Sequence, residues 1–251
     1  MKMIYHKKYT EVYAHDPAAE PGRMEAIFRV LEGTFEFVEP NSAPDKDLEL
    51  CHTKNHIHYV KEQEPSAYTA GRLAVGGAIK AAELAYEGEP TFGLIRPPGH
   101  HASSNSCWGF CYFNNMGISI KKLLKEEKIK GAIILDIDLH YGDGTANIFR
   151  DSPEVTYYHP EGYNREEFLE NLTQNLESAG NHDIIAISAG FDRHEDDWGR
   201  LLKTHDYQRI GELVKVHSLR NCSGRRYGLL EGGYNHEVLG DNVKALLEGL
   251  K

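Results

Sequence analysis

Apolar residues along this chain occur in two patterns. Short uninterrupted runs such as Ala132–Leu135 are typical of strands buried on both faces of a parallel sheet. Longer segments such as Arg165–Ser178 place Phe168, Leu172 and Leu176 at helical spacing and predict amphipathic helices. The other predicted strands are Met3–Tyr5, Leu48–Cys51, Phe92–Ile95, Val155–Tyr158, Asp183–Ser188 and Tyr227–Leu230. The other predicted helices are Met24–Leu31, Ser66–Tyr86, Met116–Glu127, Gly144–Arg150, Asp206–His217 and His236–Leu250.

The alternation of strands with helices predicts the fold class. Such a chain forms a mostly parallel β-sheet that is flanked by helices on both faces. With 251 residues, 40% of them hydrophobic, the chain suffices for one large domain or at most two small ones. We find no internal repeat or long linker that would divide it. We therefore expect a single α/β domain over residues 1–251.

The segment Gly131–Gly144 carries the first candidate chemistry. Asp136, Asp138 and His140 follow a buried strand at alternate positions, and alternate residues of an extended chain point to the same side. The carboxyl ends of parallel strands are where α/β sheets place their ligand crevices. These side chains are therefore candidates for binding a divalent metal ion. The alternative interpretation is that the two carboxylates cap the next helix or lie in a solvated turn.

Three further predicted strands end in residues that carry chemistry. Phe92–Ile95 leads into a rigid Pro-Pro-Gly turn that carries His100 and His101. Asp192 follows the predicted strand Asp183–Ser188, and Tyr234 lies in a Gly-Gly loop after the last predicted strand. Taken singly, a histidine pair on a loop is usually polar surface, and a tyrosine there usually packs under a helix. Together, four strand ends predict one site at one edge of the sheet.

Three of these residues form a candidate metal site. Asp138, His140 and Asp192 make a mixed oxygen and nitrogen ligand set, which suits Zn²⁺ and also admits Fe²⁺. Three protein ligands leave one coordination position open for water, as in catalytic sites. A metal ion lowers the pKa of bound water from ~15.7 toward ~7 and polarises carbonyl oxygens.

The neighbouring residues are candidates for acid–base chemistry. His100 and His101 can take a proton from water and return one to a leaving amine. Asp136 and Asp143 are nearby acids that can orient the two imidazoles, although Asp143 can instead be a helix N-cap. Tyr234 can donate a hydrogen bond to the oxyanion of a tetrahedral intermediate. The assembled prediction is metal-assisted hydrolysis of an amide.

Composition and charge argue against two classes of binding partner, nucleic acids and membranes. The net charge of −10 and the lack of a Lys/Arg cluster argue against a nucleic-acid-binding surface. The four cysteines form no CxxC pair and are expected to be reduced, and the chain begins without a signal-peptide pattern. No apolar run approaches the ~18 residues of a transmembrane helix. We expect a cytoplasmic protein without a nucleic-acid or membrane partner, whose oligomeric state the sequence does not predict.

Five motifs, in order along the chain, resemble the histone deacetylase superfamily. That group includes class II-like bacterial and archaeal deacetylases, acetylpolyamine amidohydrolases and acetoin-utilisation proteins. The resemblance covers the chain from about Tyr5 to its C-terminus and implies an arginase/deacetylase-like fold. The motifs are RPPGHHA (Arg96–Ala102), GFCYFNN (Gly109–Asn115), LDIDLHYGDGT (Leu135–Thr145), SAGFD (Ser188–Asp192) and EGGYN (Glu231–Asn235).

The resemblance also implies a role for each matched residue at the metal. By position, Asp138, His140 and Asp192 match the zinc ligands of the family. Asp136 and Asp143 match the carboxylate partners of its tandem histidines. Zn²⁺ is therefore the implied cofactor.

The remaining matches concern proton transfer and substrate contact. His100 and His101 match the tandem histidines, of which the second is usually assigned as general base and acid. Tyr234 matches the tyrosine that polarises the substrate carbonyl. Gly109 and Phe110 match the glycine and the aromatic wall of the tunnel that receives an acyl-lysine side chain.

The chain departs from the family pattern outside these positions. His159 stands where relatives have a serine, which puts the inner monovalent-cation site in doubt, although Asp136 and its neighbours still leave room for structural K⁺. The segment that normally supplies the opposite tunnel wall is missing, and Tyr163 is our candidate to replace it. The rim loops are shorter, which predicts an open mouth and tolerance of varied acyl-amines.

The leading hypothesis is a zinc-dependent deacylase that removes an acetyl or other short acyl group from lysine or a small amine. Within that chemistry, protein-lysine and acetylpolyamine substrates are not separable, and the acidic segment Glu195–Asp197 is either a polyamine attractant or solvated surface. An arginase-like binuclear manganese hydrolase would need an aspartate two residues after Asp192, where His194 stands. A non-catalytic acyl-lysine binding module should lack the base or the tyrosine, and both are present.

Overall fold

Seven strands form a single sheet. They are β1 (Lys2–Ile4), β2 (Glu36–Val38), β3 (Thr91–Gly93), β4 (Ala132–Asp136), β5 (Val155–Tyr158), β6 (Ile184–Ala189) and β7 (Arg226–Leu230). The computed structural model describes all residues, Met1–Lys251. The strands pair in the order β2-β1-β3-β7-β6-β4-β5, and every pair is parallel. The predicted α/β class with a parallel sheet is confirmed.

Nine helices connect and cover the strands. They are α1 (Arg23–Leu31), α2 (Asp45–Leu48), α3 (Lys54–Gln63), α4 (Pro65–Tyr86), α5 (Asn115–Lys125), α6 (Asp143–Phe149), α7 (Arg165–Ser178), α8 (Thr204–Asn221) and α9 (His236–Leu250). Asparagine side chains cap three of them, because Asn114, Asn164 and Asn235 each accept a main-chain N–H of the first turn of α5, α7 and α9. None of the nine is long and apolar enough to cross a bilayer.

The sheet and helices share one hydrophobic core. A continuous cluster of 59 buried apolar residues joins them, so no boundary divides the chain into two packed units. β4 and β6 are buried along their whole length. A parallel strand with helices on both faces has to be apolar on both sides, which is why these strands read as unbroken apolar runs.

The predicted elements agree with the structure in type and place, except before α4. Leu48–Cys51 is not a strand, because Leu48 ends α2 and its carbonyl accepts the N–H groups of Cys51 and His52 in a turn. The apolar pattern of this segment reflects burial at the end of a short helix. The sequence pattern also does not reveal α3 or β2. β2 has three residues at the sheet edge, none of them buried, so it lacks an apolar run.

Candidate active site

The four predicted strand ends lie side by side in the sheet. Strands β3, β7, β6 and β4 are consecutive neighbours, and all four point the same way. The loops after their carboxyl ends therefore open at one edge. The tandem histidines follow β3, Tyr234 follows β7, Asp192 follows β6, and Asp138 and His140 follow β4. The structure therefore brings these distant segments together at one edge of the sheet, as the sequence predicted.

Asp138, His140 and Asp192 form a group that fits a divalent cation. One ligand atom from each lies within 4.8 Å of the others. His140 Nδ1 is 3.2 Å from Asp138 Oδ1 and 3.1 Å from Asp192 Oδ2. Asp192 Oδ2 is buried and has no hydrogen-bond partner in the chain. Two buried carboxylates that converge with an imidazole and keep a free oxygen are a donor set for a metal such as zinc.

Main-chain donors hold the two carboxylates in place. Asp138 Oδ2 accepts the N–H of Gly232 at 2.8 Å, and Asp138 Oδ1 accepts the N–H of His140 at 2.9 Å. Asp192 Oδ1 accepts the N–H of Leu139 at 2.9 Å. Asp138 therefore does take part in the local turn through the N–H of His140, although it is buried and does not cap α6, as the alternative interpretation had it. The turn nevertheless leaves Asp192 Oδ2 without a main-chain donor, and this oxygen lies 3.1 Å from His140 Nδ1.

The electrostatics of this group favour a cation. Burial, and then the negative charge of Asp138, raise the pKa of Asp192 to about 6. The adjacent carboxylates of Asp138 and Asp192 raise the pKa of His140 to about 10, against the smaller opposing effect of burial. The pocket therefore resists a second negative charge and stabilises a positive one. A bound metal ion meets both requirements.

Each of the two tandem histidines is paired with a carboxylate. His100 Nδ1 lies 3.1 Å from Asp136 Oδ2, and His101 Nδ1 lies 2.7 Å from Asp143 Oδ1. Asp143 is the first residue of α6 and does not cap it, so its carboxylate is directed to the imidazole. The predicted pairing of each histidine with its own acid is present in the geometry.

The surroundings separate the pKa values of the two imidazoles. Burial lowers the pKa of His100, but Asp138 and Asp136 outweigh it, so the net shift is upward. Burial and the charge on His100 lower the pKa of His101 to about 4, although Asp143 opposes this shift. His101 is therefore neutral and able to accept a proton near pH 7, whereas His100 is the positively charged member of the pair.

Two further residues complete these pairs, through contacts with the acids that the sequence patterns did not reveal. Trp108 donates its indole N–H to Asp143, 3.1 and 3.0 Å from the two carboxylate oxygens, and its ring lies 3.8 Å from that of His101. Tyr157 donates its hydroxyl to Asp136 Oδ2 at 2.9 Å. Neither residue lies in a motif, and only the folded chain brings them to the acids.

A narrow aromatic slot leads to the candidate metal group. Its cavity volume is about 110 Å³. Phe110 forms one wall and meets the ring of Tyr234 edge-on at 6.0 Å. Gly109 lies against His101, because a Cβ on Gly109 would come within 2.4 Å of the imidazole. Gly109 and Phe110 thus occupy the slot wall that the sequence predicted for them.

The opposite wall is Trp198 and not Tyr163. Trp198 stacks on the ring of Tyr234 at 4.0 Å and meets His140 edge-on at 6.1 Å. Tyr163 is fully exposed and does not line the slot, so the prediction that it replaces the missing wall is wrong. Trp198 lies six residues after Asp192, in a loop that carries no strand or helix pattern. The sequence therefore gave no signal for its position.

The Tyr234 loop is anchored by an acid. Asp197 Oδ2 accepts the N–H groups of Tyr234 and Asn235, each at 2.8 Å. Asp197 is buried, so it belongs to the framework of the site, whereas Glu195 and Asp196 are exposed. Burial also raises the pKa of the Tyr234 phenol well above its usual range. Tyr234 is therefore a protonated hydrogen-bond donor at neutral pH.

The position that an arginase-like second metal would need is not available at Asp192. His194 Nδ1 accepts the N–H of Asp196, and its Nε2 lies 3.3 Å from the hydroxyl of Thr204. The imidazole is thus committed to its own loop and to α8. This arrangement argues against a binuclear site of that type.

Comparisons with known proteins agree with the motifs and the geometry. The family model described as the histone deacetylase domain matches residues 17–168 and 158–250. A "Probable deacetylase" of Methanothermobacter thermautotrophicus is 28% identical over 99% of this chain and 90% of its own length. A "Probable deacetylase" of Archaeoglobus fulgidus is 29% identical over 94% of this chain and 81% of its own length.

Further similarity extends to eukaryotic proteins and to a solved structure. The human protein named "Polyamine deacetylase HDAC10" is 26% identical, and the alignment covers 96% of this chain but 46% of that protein. The crystal structure of the HDA15 HD domain superposes with a TM-score of 0.83 at 22% identity, covering all of this chain and 90% of the other, which supports the fold. The chain belongs to the histone deacetylase family and is a hydrolytic deacetylase with the arginase/deacetylase-like fold.

Proposed function

We propose that this protein is a zinc-dependent amidohydrolase that removes an acetyl or other short acyl group from an acylated lysine or small amine. The observation that carries this proposal is that His140, which is grouped with the buried carboxylates of Asp138 and Asp192, lines an aromatic slot. A proton acceptor, His101, and a hydrogen-bond donor, Tyr234, line the same slot. This combination matches what hydrolysis of an unactivated amide requires.

Asp138, His140 and Asp192 would hold the metal ion. When bound there, a divalent ion supplies Lewis acidity for the substrate carbonyl and lowers the pKa of water. Zn²⁺ suits a set of two carboxylates and one imidazole, and Fe²⁺ is the second candidate. The chain's own side chains supply the rest of the chemistry.

The two histidines have different roles in this mechanism. His101, which is neutral near pH 7, takes the proton of the attacking water and passes it to the leaving amine. Asp143 holds the His101 ring through Nδ1, so that Nε2 is the nitrogen free for this task. His100, held by Asp136, keeps a positive charge that stabilises the negative transition state.

Tyr234 and the aromatic walls act on the acyl group. The Tyr234 hydroxyl donates a hydrogen bond to the oxygen that becomes negative in the tetrahedral intermediate. Phe110 and Trp198 exclude water from a slot wide enough for a linear alkyl chain. A slot of about 110 Å³ fits the methylene chain of an acyl-lysine or of an acylpolyamine.

The proposal is tested by a substrate panel with metal control. We expect the purified protein to hydrolyse acetyl-lysine peptides or acetylpolyamines, to lose activity with a chelator, and to regain it when Zn²⁺ is returned. Short rim loops predict that several members of the panel are accepted. Full activity after complete removal of metal would contradict the mechanism, and one strongly preferred substrate would contradict the open mouth. Binding of acyl-lysine without turnover would favour the non-catalytic binding module.

Trp198→Ala is expected to lower kcat/KM by about tenfold, or about 1.4 kcal/mol, because the substrate chain loses one aromatic wall. The loss should lie mainly in KM, and Trp198→Phe should restore most of it. Tyr163→Ala is the matched control, since this exposed ring does not line the slot. Steady-state kinetics of the three variants check the assignment. A larger effect for Tyr163→Ala than for Trp198→Ala would show that the wall is assigned wrongly.

A further inference from the structure

The side chain of Arg193 lies behind the candidate metal ligands. It directly follows Asp192 in the chain, and only 5% of the residue is exposed. Its Nε donates to the main-chain carbonyl of Asp138 at 3.0 Å, and its Nη2 donates to the carbonyl of Leu139 at 3.4 Å. The guanidinium therefore binds the backbone of the segment that carries two of the ligands, Asp138 and His140.

Two neighbours fix the orientation of this guanidinium. His159 Nε2 lies 3.0 Å from the Asp138 carbonyl oxygen and 3.1 Å from Arg193 Nη2. The guanidinium carbon lies 4.7 Å from the centre of the Phe168 ring, in a cation–π contact. Arg193 is thus held rigidly between a carbonyl cradle and an aromatic face.

Arg193 places a positive charge next to several buried carboxylates. The carboxylates of Asp136, Asp138 and Asp192 are all buried, and buried charges require partners of opposite sign. Burial lowers the pKa of Arg193, and the charges of these carboxylates oppose that shift. A guanidinium keeps its proton at any physiological pH. Arg193 therefore places a permanent positive charge beside the acidic cluster.

The hydrogen bonds around Arg193 and Asp136 leave few oxygen atoms free to bind a monovalent cation. K⁺ in proteins is held by oxygen atoms such as main-chain carbonyls, yet the Asp138 and Leu139 carbonyls already accept hydrogen bonds from Arg193. Asp136 Oδ1 accepts the N–H of Asp138, and Asp136 Oδ2 faces both His100 and the Tyr157 hydroxyl. The sequence allowed a structural K⁺ at Asp136 and its neighbours. The residues present do not fit that ion, because their oxygen atoms already accept hydrogen bonds.

We propose that Arg193, supported by His159, replaces a monovalent cation beside Asp138 and positions the metal ligands without K⁺. This proposal rests on the metal site of the proposed function, but it does not depend on which amide is hydrolysed. Arg193 is a positioning residue, since it acts through the backbone of Asp138 and Leu139. Its tests therefore use zinc retention and thermal stability besides turnover.

The first test uses the unaltered protein loaded with Zn²⁺. Zinc content after dialysis and melting temperature are compared in KCl and in tetramethylammonium chloride at equal ionic strength, because the organic cation is too large for a carbonyl cradle. We expect both quantities to be the same in the two salts. A saturable rise of either with K⁺ would overturn the proposal. Because neither measurement involves turnover, failure here is distinguishable from failure of the proposed deacylase activity.

The second test uses Arg193→Ala, with Arg209→Ala as the control because Arg209 is exposed on α8. In tetramethylammonium chloride, Arg193→Ala should bind zinc about 10- to 100-fold more weakly, as happens when groups that orient metal ligands are lost. Added ethylguanidinium or K⁺ should recover part of this affinity, which a purely structural defect would not allow. Arg209→Ala should match the unaltered protein. Undiminished zinc affinity in Arg193→Ala would overturn the proposal. If Arg193→Ala does not fold, Arg193→Lys takes its place in the test, because lysine keeps the positive charge. Arg193→Lys should retain zinc, and loss of zinc from this variant would overturn the proposal.

Discussion

Asp192→Asn is expected to lose its zinc on dialysis and to lower deacylase activity by about 10³-fold or more. The reason is that one of the three proposed ligands loses its charge, and the protein loses with the metal the several kcal/mol of transition-state stabilisation that such an ion provides. Metal analysis of the dialysed protein and an acetyl-lysine assay measure the two effects. Asp196→Asn is the matched control, because that carboxylate is exposed on the same loop.

The same substitution should have the opposite effect on the stability of the metal-free protein. The folded protein raises the pKa of Asp192 to about 6, against about 4 when unfolded. Between those pH values the folded state holds a proton that the unfolded state releases, so metal-free stability falls as pH rises from about 4 to about 6. Above pH 6 the metal-free Asp192→Asn variant should therefore melt higher than the metal-free original, and the difference should shrink toward pH 4.

Added zinc should reverse that order. A ligand that binds only the folded state stabilises it by about 2.7 kcal/mol at 100 times its dissociation constant. The original protein should gain this stability and the variant should not. Thermal melts across pH with and without zinc check the crossing. Equal melting temperatures for the two proteins in all conditions would show that Asp192 is not a metal ligand.

Tyr234→Phe is expected to lower kcat by about 10²–10³-fold while KM and zinc content stay near their original values. The ring keeps its stacking on Trp198, so the slot remains, but the developing oxyanion loses a hydrogen-bond donor. Steady-state kinetics with a metal analysis separate this effect from a loss of metal. Tyr141→Phe is the control, because Tyr141 is half-exposed beside the site and does not line the slot. Equal kcat values for Tyr234→Phe and the original protein would remove Tyr234 from the reaction.

The residues that we propose for catalysis could be placed together from the sequence because they lie at strand ends. Each of the four strands is marked by its own apolar run, and parallel strands bring their carboxyl ends to one edge. The local pattern could not predict the order β3-β7-β6-β4, since strand neighbours are chosen by packing between distant segments. The five motifs supplied what periodicity alone did not, namely which of the polar residues belong together.

The supporting residues were not predictable for a physical reason. Trp108, Tyr157, Arg193 and Trp198 act through contacts with side chains or carbonyls 21 to 55 positions away or on separate loops. No spacing rule marks such a contact, since it depends on how distant segments pack against one another. The Tyr163 prediction failed similarly, because distance along the chain is a poor guide to which aromatic ring faces a slot.

The central position of β7 has a consequence for how the enzyme is made. β7 is the last of the seven strands of this sheet in chain order, yet it lies between β3 and β6 and joins the two halves of the sheet. A nascent chain that has not yet released residues 226–230 from the ribosome would leave two strand edges open, and such edges promote aggregation. The active centre can therefore assemble only after residues 226–230 have been synthesised, and truncations that remove β7 should be inactive and dependent on chaperones.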